Sequence, residues 1–205
     1  MEIFTCAQGT PEWHEARRGI PTASEFSTVM AKGEGKTRRT YMLKLAGEKL
    51  TGQCAESFNS VHMERGKTME EEARELYAFR AEVEPQLVGF IRDGDMGCSP
   101  DALIGSAGAL EIKTALPHIL IELLLKDEFP SVHKAQTQGV LLVAKLEWID
   151  LSVYWPKIHP LTKRAVRDEP YIDNLKGEID RFNDELAELV RRVERYGAPP
   201  EAVAA

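Results

Sequence analysis

Two short stretches of the sequence combine acidic and basic side chains at a spacing that suits metal-dependent phosphodiester chemistry. The first ends in Pro100 and Asp101, and the second is Glu111-Ile112-Lys113. Because residues two apart in a strand point to the same face, Glu111 and Lys113 are expected to project together. A short turn between the stretches would fold them into a hairpin and bring both carboxylates within reach of one ion.

Magnesium accepts the ligands that such a hairpin offers, namely carboxylate oxygens, a backbone carbonyl and water. We expect Asp101 and Glu111 to bind the metal and Ile112 to supply the carbonyl. Lys113 would then lie beside a metal-bound water, where its positive charge helps to form or hold the hydroxide that attacks phosphorus. The hairpin therefore predicts a magnesium-dependent hydrolytic site.

A Glu-x-Lys pattern by itself is a weak signal, because exposed pairs of this kind are mostly solvated ion pairs. Here it follows Pro100-Asp101 at hairpin distance, with Glu70 on an earlier predicted helix and Gln136 near the start of a later one. Gln136 alone would be read as an ordinary polar helix position. The ordered set fits a phosphodiesterase site better than chance.

Composition sets broad limits on the protein. The 205 residues suit one compact domain with appendages, and the fractions of 43% hydrophobic and 29% charged residues are those of an ordinary soluble protein. A net charge of −7 disfavours a protein that coats nucleic acid through a broad basic surface. It leaves room for an enzyme with one basic groove, since a metal-dependent nuclease must itself concentrate carboxylates.

Compartment and cofactor class are constrained by a few further features. Cys6, Cys54 and Cys98 are far apart, which disfavours both a disulfide framework and structural zinc. The longest apolar stretches, such as residues 119–125, are too short to cross a bilayer. No basic region followed by an apolar block is visible at the start, so we expect a cytoplasmic protein with no membrane partner.

The elements that must position these residues change in character along the chain. The first half predicts helices, one capped by Thr10 before Pro11 and one opened by Thr22 and Glu25 as a capping box. Further helices are predicted near 37–50, 61–80, 117–126 and 131–145, strands near 83–91, 97–104, 109–114 and 147–155, and a final helix near 170–196 with apolar residues at steps of three and four. This order predicts an α/β fold with a mixed sheet flanked by helices.

The sequence also resembles a known family. Ser99-Pro100-Asp101 followed by Glu111-Ile112-Lys113 resembles the signature of the PD-(D/E)XK nuclease superfamily. The blocks that resemble the phage lambda exonuclease and YqaJ-type viral recombinase group are Trp13 to Gly19, Thr22 to Glu25, Arg65-Gly66-Lys67 with Glu70 and Ala73-Arg74, and Ala135 to Gln138. They keep the family's order from about residue 13 to 155, so their combination is specific although each block alone is weak.

The resemblance implies a single exonuclease domain over 1–205, with a restriction-endonuclease-like catalytic core at about 61–155, a helical end-binding part at about 10–50 and a C-terminal helix at about 170–196. It also implies a processive 5′ to 3′ exonuclease that digests one strand of linear double-stranded DNA to mononucleotides. The 3′ overhang would pass to a single-strand annealing protein for recombination. The expected cofactor is Mg²⁺, with Mn²⁺ able to replace it, bound as two ions.

The resemblance further implies a ring-shaped homotrimer around double-stranded DNA ends, made by a phage or prophage in a bacterial host. It assigns roles residue by residue as metal ligands (Asp101, Glu111), catalytic lysine (Lys113), polar groups near the nucleophile (Glu70, Gln136) and groups that hold the 5′ phosphate (Arg17, Ser24). The phage enzyme adds a lysine to the phosphate pocket, and Val61 stands at the matching position here. Lys67 or His62 are candidate substitutes.

Simpler readings remain open for the phosphate group. Arg17 and Arg18 could be solvated charges at a helix end, and Ser24 could serve only the start of its helix. Alternatively, free N–H groups at that start could seat a phosphate, with Arg17 adding a fork of donors. Trp13 is predicted to be a packing residue.

The basic segment containing Lys32, Lys36, Arg38 and Arg39 is either a solvated loop or a contact to the DNA backbone. For the whole protein, the alternative function is a structure-selective or restriction-type DNA endonuclease on the same core. A non-catalytic DNA-binding module is a third class, which the intact Asp101, Glu111 and Lys113 argue against.

Overall fold

The computed structural model describes residues 1–31, 36–54 and 61–196, with side chains at all of these except 36 and 61–67. The strands in this part of the chain are β1 Glu2–Phe4, β2 Phe90–Asp93, β3 Met96–Cys98, β4 Ala102–Ile104, β5 Gly108–Thr114, β6 Trp148–Tyr154 and β7 Leu161–Val166. The α-helices are α1 Pro11–Arg17, α2 Phe26–Val29, α3 Lys36–Thr51, α4 Val61–Ala81, α5 Pro117–Lys126, α6 Lys134–Ala144 and α7 Glu169–Glu194, and 3₁₀ turns lie at Ala23–Glu25 and Ser131–His133.

The strands form two sheets. One has the order β1-β2-β3 and is antiparallel throughout, and the other has the order β4-β5-β6-β7 with a parallel pair at β5–β6. Bridges between Thr22 and Gly97 and between Gln86 and Leu103 connect the sheets with their surroundings. The predicted α/β fold class, with a mixed sheet flanked by helices, is confirmed.

The single strand predicted over 97–104 is wrong, because the chain changes sheets in the middle of it. Gly97 pairs with Arg92 of β2, whereas Ala102 pairs with Leu110 of β5. Pro100 lies between them and has no N–H to continue a ladder. Asp101 was expected to end a strand, but in the structure it directly precedes β4.

Two further strand predictions need correction. The strand expected over 83–91 starts only at Phe90, and Gln86 makes one isolated bridge to Leu103, with both N–H···O distances at 2.8 Å. Pro85 lies beside that bridge and cannot donate to a ladder. Strands β1 and β7 were not predicted, because β1 is only 3 residues long and the solvent-facing positions of β7 break its apolar pattern.

The helix predictions are mostly confirmed. Thr10 Oγ1 accepts from Trp13 N at 3.4 Å and caps α1. In α7 the periodic apolar residues form a buried stripe made of Ile172, Leu175, Ile179, Phe182 and Leu186. The capping box is wrong: Thr22 makes no cap hydrogen bond, and Glu25 accepts instead from Thr28 Oγ1 at 3.1 Å.

Helix α6 packs against the 3₁₀ turn Ala23–Glu25 and the start of α2 at a glycine. A Cβ added at Gly139 would lie 2.4 Å from Cδ2 of Phe26 and 3.3 Å from Cβ of Ala23. Only glycine permits this close approach. It sets the 3₁₀ turn that carries Ser24 against the helix that carries Gln136.

Arg38 belongs to the basic segment that was predicted to be either a solvated loop or a contact to the DNA backbone. Its guanidinium makes two hydrogen bonds to the Glu185 carboxylate at 2.6 and 3.1 Å, and lies 5.1 Å from the centre of the Phe182 ring. It also donates to Val29 O at 3.2 Å. Arg38 thus ties α3 to α7 and is neither solvated nor free for a DNA phosphate, while the side chains of Lys32 and Lys36 lie outside the described residues.

Within the described ranges, none of the helices combines the length and the apolar character that a membrane crossing requires.

Candidate active site

The pairing of β4 with β5 places Asp101 opposite Glu111. Ala102 pairs with Leu110, and Asp101 N donates to Leu110 O at 3.1 Å. Asp101 Oδ2 in turn accepts from Ile112 N at 2.5 Å. Main-chain contacts therefore hold the Asp101 carboxylate at the edge of β5, beside the Glu111 position, as the hairpin spacing predicted.

Glu111 is held on one side and unpartnered on the other. Its side chain is only 4% exposed, and Oε1 accepts from Lys113 Nζ at 2.8 Å and from Gln136 Nε2 at 2.5 Å. Oε2 is buried and has no hydrogen-bond partner in the described part of the chain. Because burying a carboxylate oxygen without a donor is costly, this atom indicates a place for a cation.

The charges around Asp101, Glu111 and Lys113 also favour a bound cation. Burial raises the pKa of Asp101 well above its usual range, and the charges of Glu111 and Glu70 raise it further. Burial also raises the pKa of Glu111, although Lys113 opposes that rise. Burial alone would lower the pKa of Lys113, but the surrounding carboxylates raise it. The carboxylates outnumber the single ammonium, and a divalent cation would offset the excess negative charge.

These residues fit magnesium. In a strand the N–H and carbonyl of one residue point to the same edge, so the Ile112 carbonyl faces the side that Asp101 occupies. Across the residues that can be described, no three His, Cys, Asp or Glu side chains converge on one point. The protein ligands would therefore be Asp101, Glu111 and the Ile112 carbonyl, with water or a DNA phosphate completing the shell.

Glu70 adds negative charge to this centre and interacts electrostatically with Asp101, Glu111 and Lys113. It is half-buried on α4, forms an ion pair with Arg74 at 3.5 Å, and borders a cleft of about 720 Å³ together with Asp101 and Arg17. After burial and the charge of Glu111, the charge of Glu70 is a further cause of the raised pKa of Asp101. Glu70 thus borders the cleft that opens toward Asp101 and Arg17.

Arg17 is not a solvated helix-end charge. Its Nη2 donates to Thr22 Oγ1 at 3.3 Å, and its guanidinium carbon lies 4.1 Å from the centre of the Trp13 ring. Burial lowers its pKa, and it makes no ion pair with any carboxylate among the residues described, whereas Arg18 pairs with Glu15 at 2.8 Å. The charges of Glu48 and Glu25 act on Arg17 from a greater distance. A partly desolvated guanidinium without a direct ion pair among the described residues is well suited to bind a phosphate.

Ser24 continues the polar row that starts at Arg17. Its Oγ lies 3.3 Å from Thr22 Oγ1, which accepts from Arg17. The helices here are a 3₁₀ turn of 3 residues and α2 with 4 residues, which are too short for a phosphate seat built on a helix N-terminus. Any phosphate site at this place must be made by the side chains.

One cavity joins the two groups of residues. It has a volume of about 180 Å³, and its walls include Arg17 and Ser24 on one side and Asp101, Glu111 and Gln136 on the other. Residues more than 80 positions apart in sequence thereby share one space. The arrangement can hold a phosphate at Arg17 while presenting a neighbouring phosphodiester to the carboxylates.

Three residues at this site were not predicted to act there. Trp13 was predicted to pack, but its Nε1 donates to Ser99 Oγ at 2.9 Å and to Gly89 O at 3.0 Å. Ser99 lines the cavity, and its place two residues before Asp101 was the available signal. Gln8 Nε2 donates to Pro100 O at 3.1 Å, for which the sequence gives no signal.

Val61 occupies the position where the phage enzyme has a lysine in its phosphate pocket. The side chains of Val61, His62 and Lys67 lie outside the described residues. Which group takes the place of the missing lysine stays a prediction.

Comparisons with known proteins add independent findings. Residues 12–147 match the family model of the YqaJ-like viral recombinase domain. The alkaline exonuclease LHK-Exo from Laribacter hongkongensis is 28% identical and superimposes with a TM-score of 0.84, covering 92% of this chain and 98% of that one. The same exonuclease in complex with dAMP gives a TM-score of 0.85 at the same identity and coverage.

A phage-related exonuclease from Haemophilus somnus 129PT superimposes with a TM-score of 0.66 at 15% identity, covering 85% of this chain and 96% of that one. At this identity the match shows a shared fold alone. The comparison with curated proteins gives no match.

Proposed function

The chain belongs to the YqaJ-like viral recombinase domain family, and from that premise we propose that it is a DNA exonuclease. The observation that carries the proposal is the cavity that Arg17 and Ser24 share with Asp101, Glu111 and Gln136. A similar solved exonuclease was obtained in complex with dAMP, which is the kind of mononucleotide that such an enzyme would release.

The polarity we propose is 5′ to 3′ on one strand of a linear duplex. A terminal 5′ phosphate held by Arg17 and Ser24 places the next phosphodiester toward Asp101 and Glu111. A water oxygen bonds to that phosphorus, the bond to the 3′ oxygen of the terminal nucleotide breaks, and the 3′ oxygen takes up a proton. The products are a mononucleotide and a strand with a new 5′ phosphate, which can enter the same pocket.

The proposed cofactor is Mg²⁺, with Mn²⁺ able to replace it and two ions expected, held by Asp101, Glu111 and the Ile112 carbonyl. When bound, the metal supplies a water of lowered pKa and positive charge for the reacting phosphate. The Lys113 ammonium, 2.8 Å from Glu111 Oε1, adds a second positive charge beside the phosphate. Gln136 fixes the orientation of Glu111 through its 2.5 Å hydrogen bond.

Glu70 is proposed as a supporting group on the approach side. It borders the larger cleft on α4, which also opens toward Asp101 and Arg17. From there its carboxylate can orient water or the incoming strand without binding in the innermost position. This role follows from its placement and from the family motif in which it lies.

The proposed partners are a double-stranded DNA end, two further copies of the chain and a single-strand annealing protein, in the cytoplasm of a bacterium that carries the phage or prophage. A chain with net charge −7 attracts duplex DNA weakly, and closing a homotrimer ring around the duplex would keep it bound through many cycles. Light scattering across a range of concentrations tests this point. A trimer mass is expected, and a monomer mass at every concentration would contradict it.

Polarity is tested with one linear duplex labelled at either the 5′ or the 3′ end of the same strand. With Mg²⁺ we expect the 5′ label to appear at once as a mononucleotide, while the 3′ label stays in a steadily shortening strand. Excess chelator should stop both. Release of the 3′ label first would contradict the proposed direction, and internal fragments at early times would favour an endonuclease.

A further inference from the structure

Trp13 contacts both halves of the site at once. Its indole N–H is shared between Ser99 Oγ at 2.9 Å and Gly89 O at 3.0 Å. The face of the same ring lies against the Arg17 guanidinium, at 4.1 Å from its centre. One rigid side chain therefore connects the phosphate-binding arginine with the segment that leads into Asp101.

We propose that Trp13 is a positioning residue that fixes the separation between the terminal-phosphate group and the metal-binding carboxylates. It thereby sets which phosphodiester is cleaved, so that each cycle removes one nucleotide. This inference rests on the proposed exonuclease function and names the residue that couples end binding to cleavage.

The Arg17 side of the coupling depends on the ring face. An arginine side chain has many rotamers, and the hydrogen bond that this guanidinium makes within the described residues is the long 3.3 Å bond to Thr22 Oγ1. Stacking on a rigid aromatic face restricts those rotamers and holds the guanidinium by a cation–π interaction. Without the ring, the charge would remain in the pocket but its position would be poorly defined.

The Asp101 side of the coupling depends on the N–H group. Ser99 is joined to Asp101 through Pro100, whose ring fixes one backbone dihedral and stiffens the link. The backbone at Asp101 is then held by Leu110 O at 3.1 Å. A shift of Ser99 is therefore transmitted along a short and rigid path to the carboxylate.

Two other residues provide matched controls. Gln8 Nε2 donates to Pro100 O at 3.1 Å and to Val88 O at 3.2 Å, so its side-chain hydrogen bonds brace the same segment and do not go to Arg17. Trp148 carries a stacked arginine, Arg164, at 3.6 Å from its ring centre, but it borders neither the 180 Å³ cavity nor the larger cleft. The Gln8 variant tests whether loosening the segment before Asp101 is enough to change the preference for a 5′ phosphate. The Trp148 variant tests whether losing any tryptophan–arginine pair has the same effect.

The experiment measures kcat/KM on linear duplexes with a 5′ phosphate and a 5′ hydroxyl in Mg²⁺, together with the length of the first product. The wild type should prefer the phosphate end and release mononucleotides alone. Trp13→Leu should lose most of that preference, about tenfold for one charge-assisted contact, and should release some dinucleotide. Trp13→Phe keeps a ring and loses the donor, so it should retain part of the preference while kcat falls on both ends.

The controls make the inference falsifiable. Gln8→Ala should slow both ends equally with the preference unchanged, and Trp148→Phe should leave both preference and product length as in the wild type. Adding Trp13→Leu to Arg17→Ala should lower the preference no further, because the tryptophan acts through the arginine. If the double variant lowers the preference for the 5′ phosphate by the product of the two single effects, the inference is overturned. It is also overturned if Trp13→Leu keeps the wild-type preference and releases mononucleotides alone.

Folding failure is covered by a second pair of variants. If Trp13→Leu does not give a cooperative melt, Trp13→Phe and Ser99→Ala decide, because each removes one partner of the same hydrogen bond. Similar kcat losses in both support the inference, and wild-type kinetics in both overturn it. A wild type without any preference for the phosphate end contradicts the end-binding proposal itself, is recognised before any variant is compared, and overturns this inference with it.

Discussion

The two halves of the candidate site are held in place by different means. Asp101 and Glu111 lie on paired strands, and main-chain hydrogen bonds from Ile112 and to Leu110 fix the Asp101 end. The Arg17 guanidinium, in contrast, contacts side chains in the described part of the chain, namely the Trp13 ring and the Thr22 hydroxyl. The proposed metal-binding half is therefore preorganised by the sheet, whereas the proposed phosphate-binding half can be altered by single side-chain changes without disturbing the sheet.

The largest effect should come from the rigid half. Asp101→Asn removes a charged ligand but keeps an oxygen that can accept from Ile112 N. We expect turnover of a linear duplex in Mg²⁺ to fall by at least about 100-fold, since losing even a supporting partner of a metal ligand costs about 10- to 100-fold. DNA binding, measured by fluorescence anisotropy, should survive.

Thermal melting provides the control for that variant. Without added metal, Asp101→Asn should melt no lower than the wild type, because it removes a buried charge that burial, Glu111 and Glu70 all disfavour. Mg²⁺ should raise the melting temperature of the wild type alone. A near-normal rate, or equal stabilisation of both proteins by Mg²⁺, would show that Asp101 does not hold the ion.

A smaller and selective effect is expected in the side-chain half. Arg17→Ala should erase most of the preference for a 5′ phosphate over a 5′ hydroxyl, by about tenfold, while the rate on the hydroxyl end stays within a few-fold. Arg18→Ala is the matched control, since Arg18 pairs with Glu15 at the surface. If Arg17→Ala lowers the rates on the phosphate and hydroxyl ends equally, Arg17 acts in catalysis or folding. The proposed difference between the two halves of the site would then be wrong.

The smallest effect on activity is expected at Arg38, for which the sequence left open a solvated loop position or a contact to the DNA backbone. Its paired bonds to Glu185 link α3 to α7, so Arg38→Ala should lower the melting temperature by about 2–4 °C for a loss near 1 kcal/mol. Exonuclease rates should not change. If the slope of log K for DNA binding against log salt concentration became shallower by about one, Arg38 would instead be a phosphate contact. Arg39→Ala, which changes an exposed arginine of the same segment, is the comparison.

The same contrast explains what the sequence could predict. The metal-binding half follows from strand alternation and hairpin spacing, so Asp101, Glu111 and Lys113 were brought together as predicted. The sheet change at Pro100 was missed, because the residues of 97–104 do not show which neighbouring strand each part of this segment will join. Helices with strong periodicity or a clear cap, such as α7, were found reliably.

The phosphate-binding half was less predictable because its key contacts are tertiary. Trp13 and Ser99 are separated by 86 positions, and no local pattern shows that an indole N–H will reach that hydroxyl. The burial of Arg17 likewise depends on elements packed around α1, so a helix-end charge and a phosphate ligand look alike in sequence. The close approach at Gly139, which docks this half onto α6, is visible only once both elements are placed.

We propose that a phosphodiester reaches Asp101 and Glu111 only when a strand end enters the cavity. The decisive experiment is digestion of a covalently closed circular duplex and of the same DNA made linear, in Mg²⁺ and in excess chelator. We expect the linear form to be converted to mononucleotides, the closed circle to stay intact, and chelator to stop all digestion. Cutting of the closed circle at a rate near that of the linear form, or digestion that persists in chelator, would contradict it.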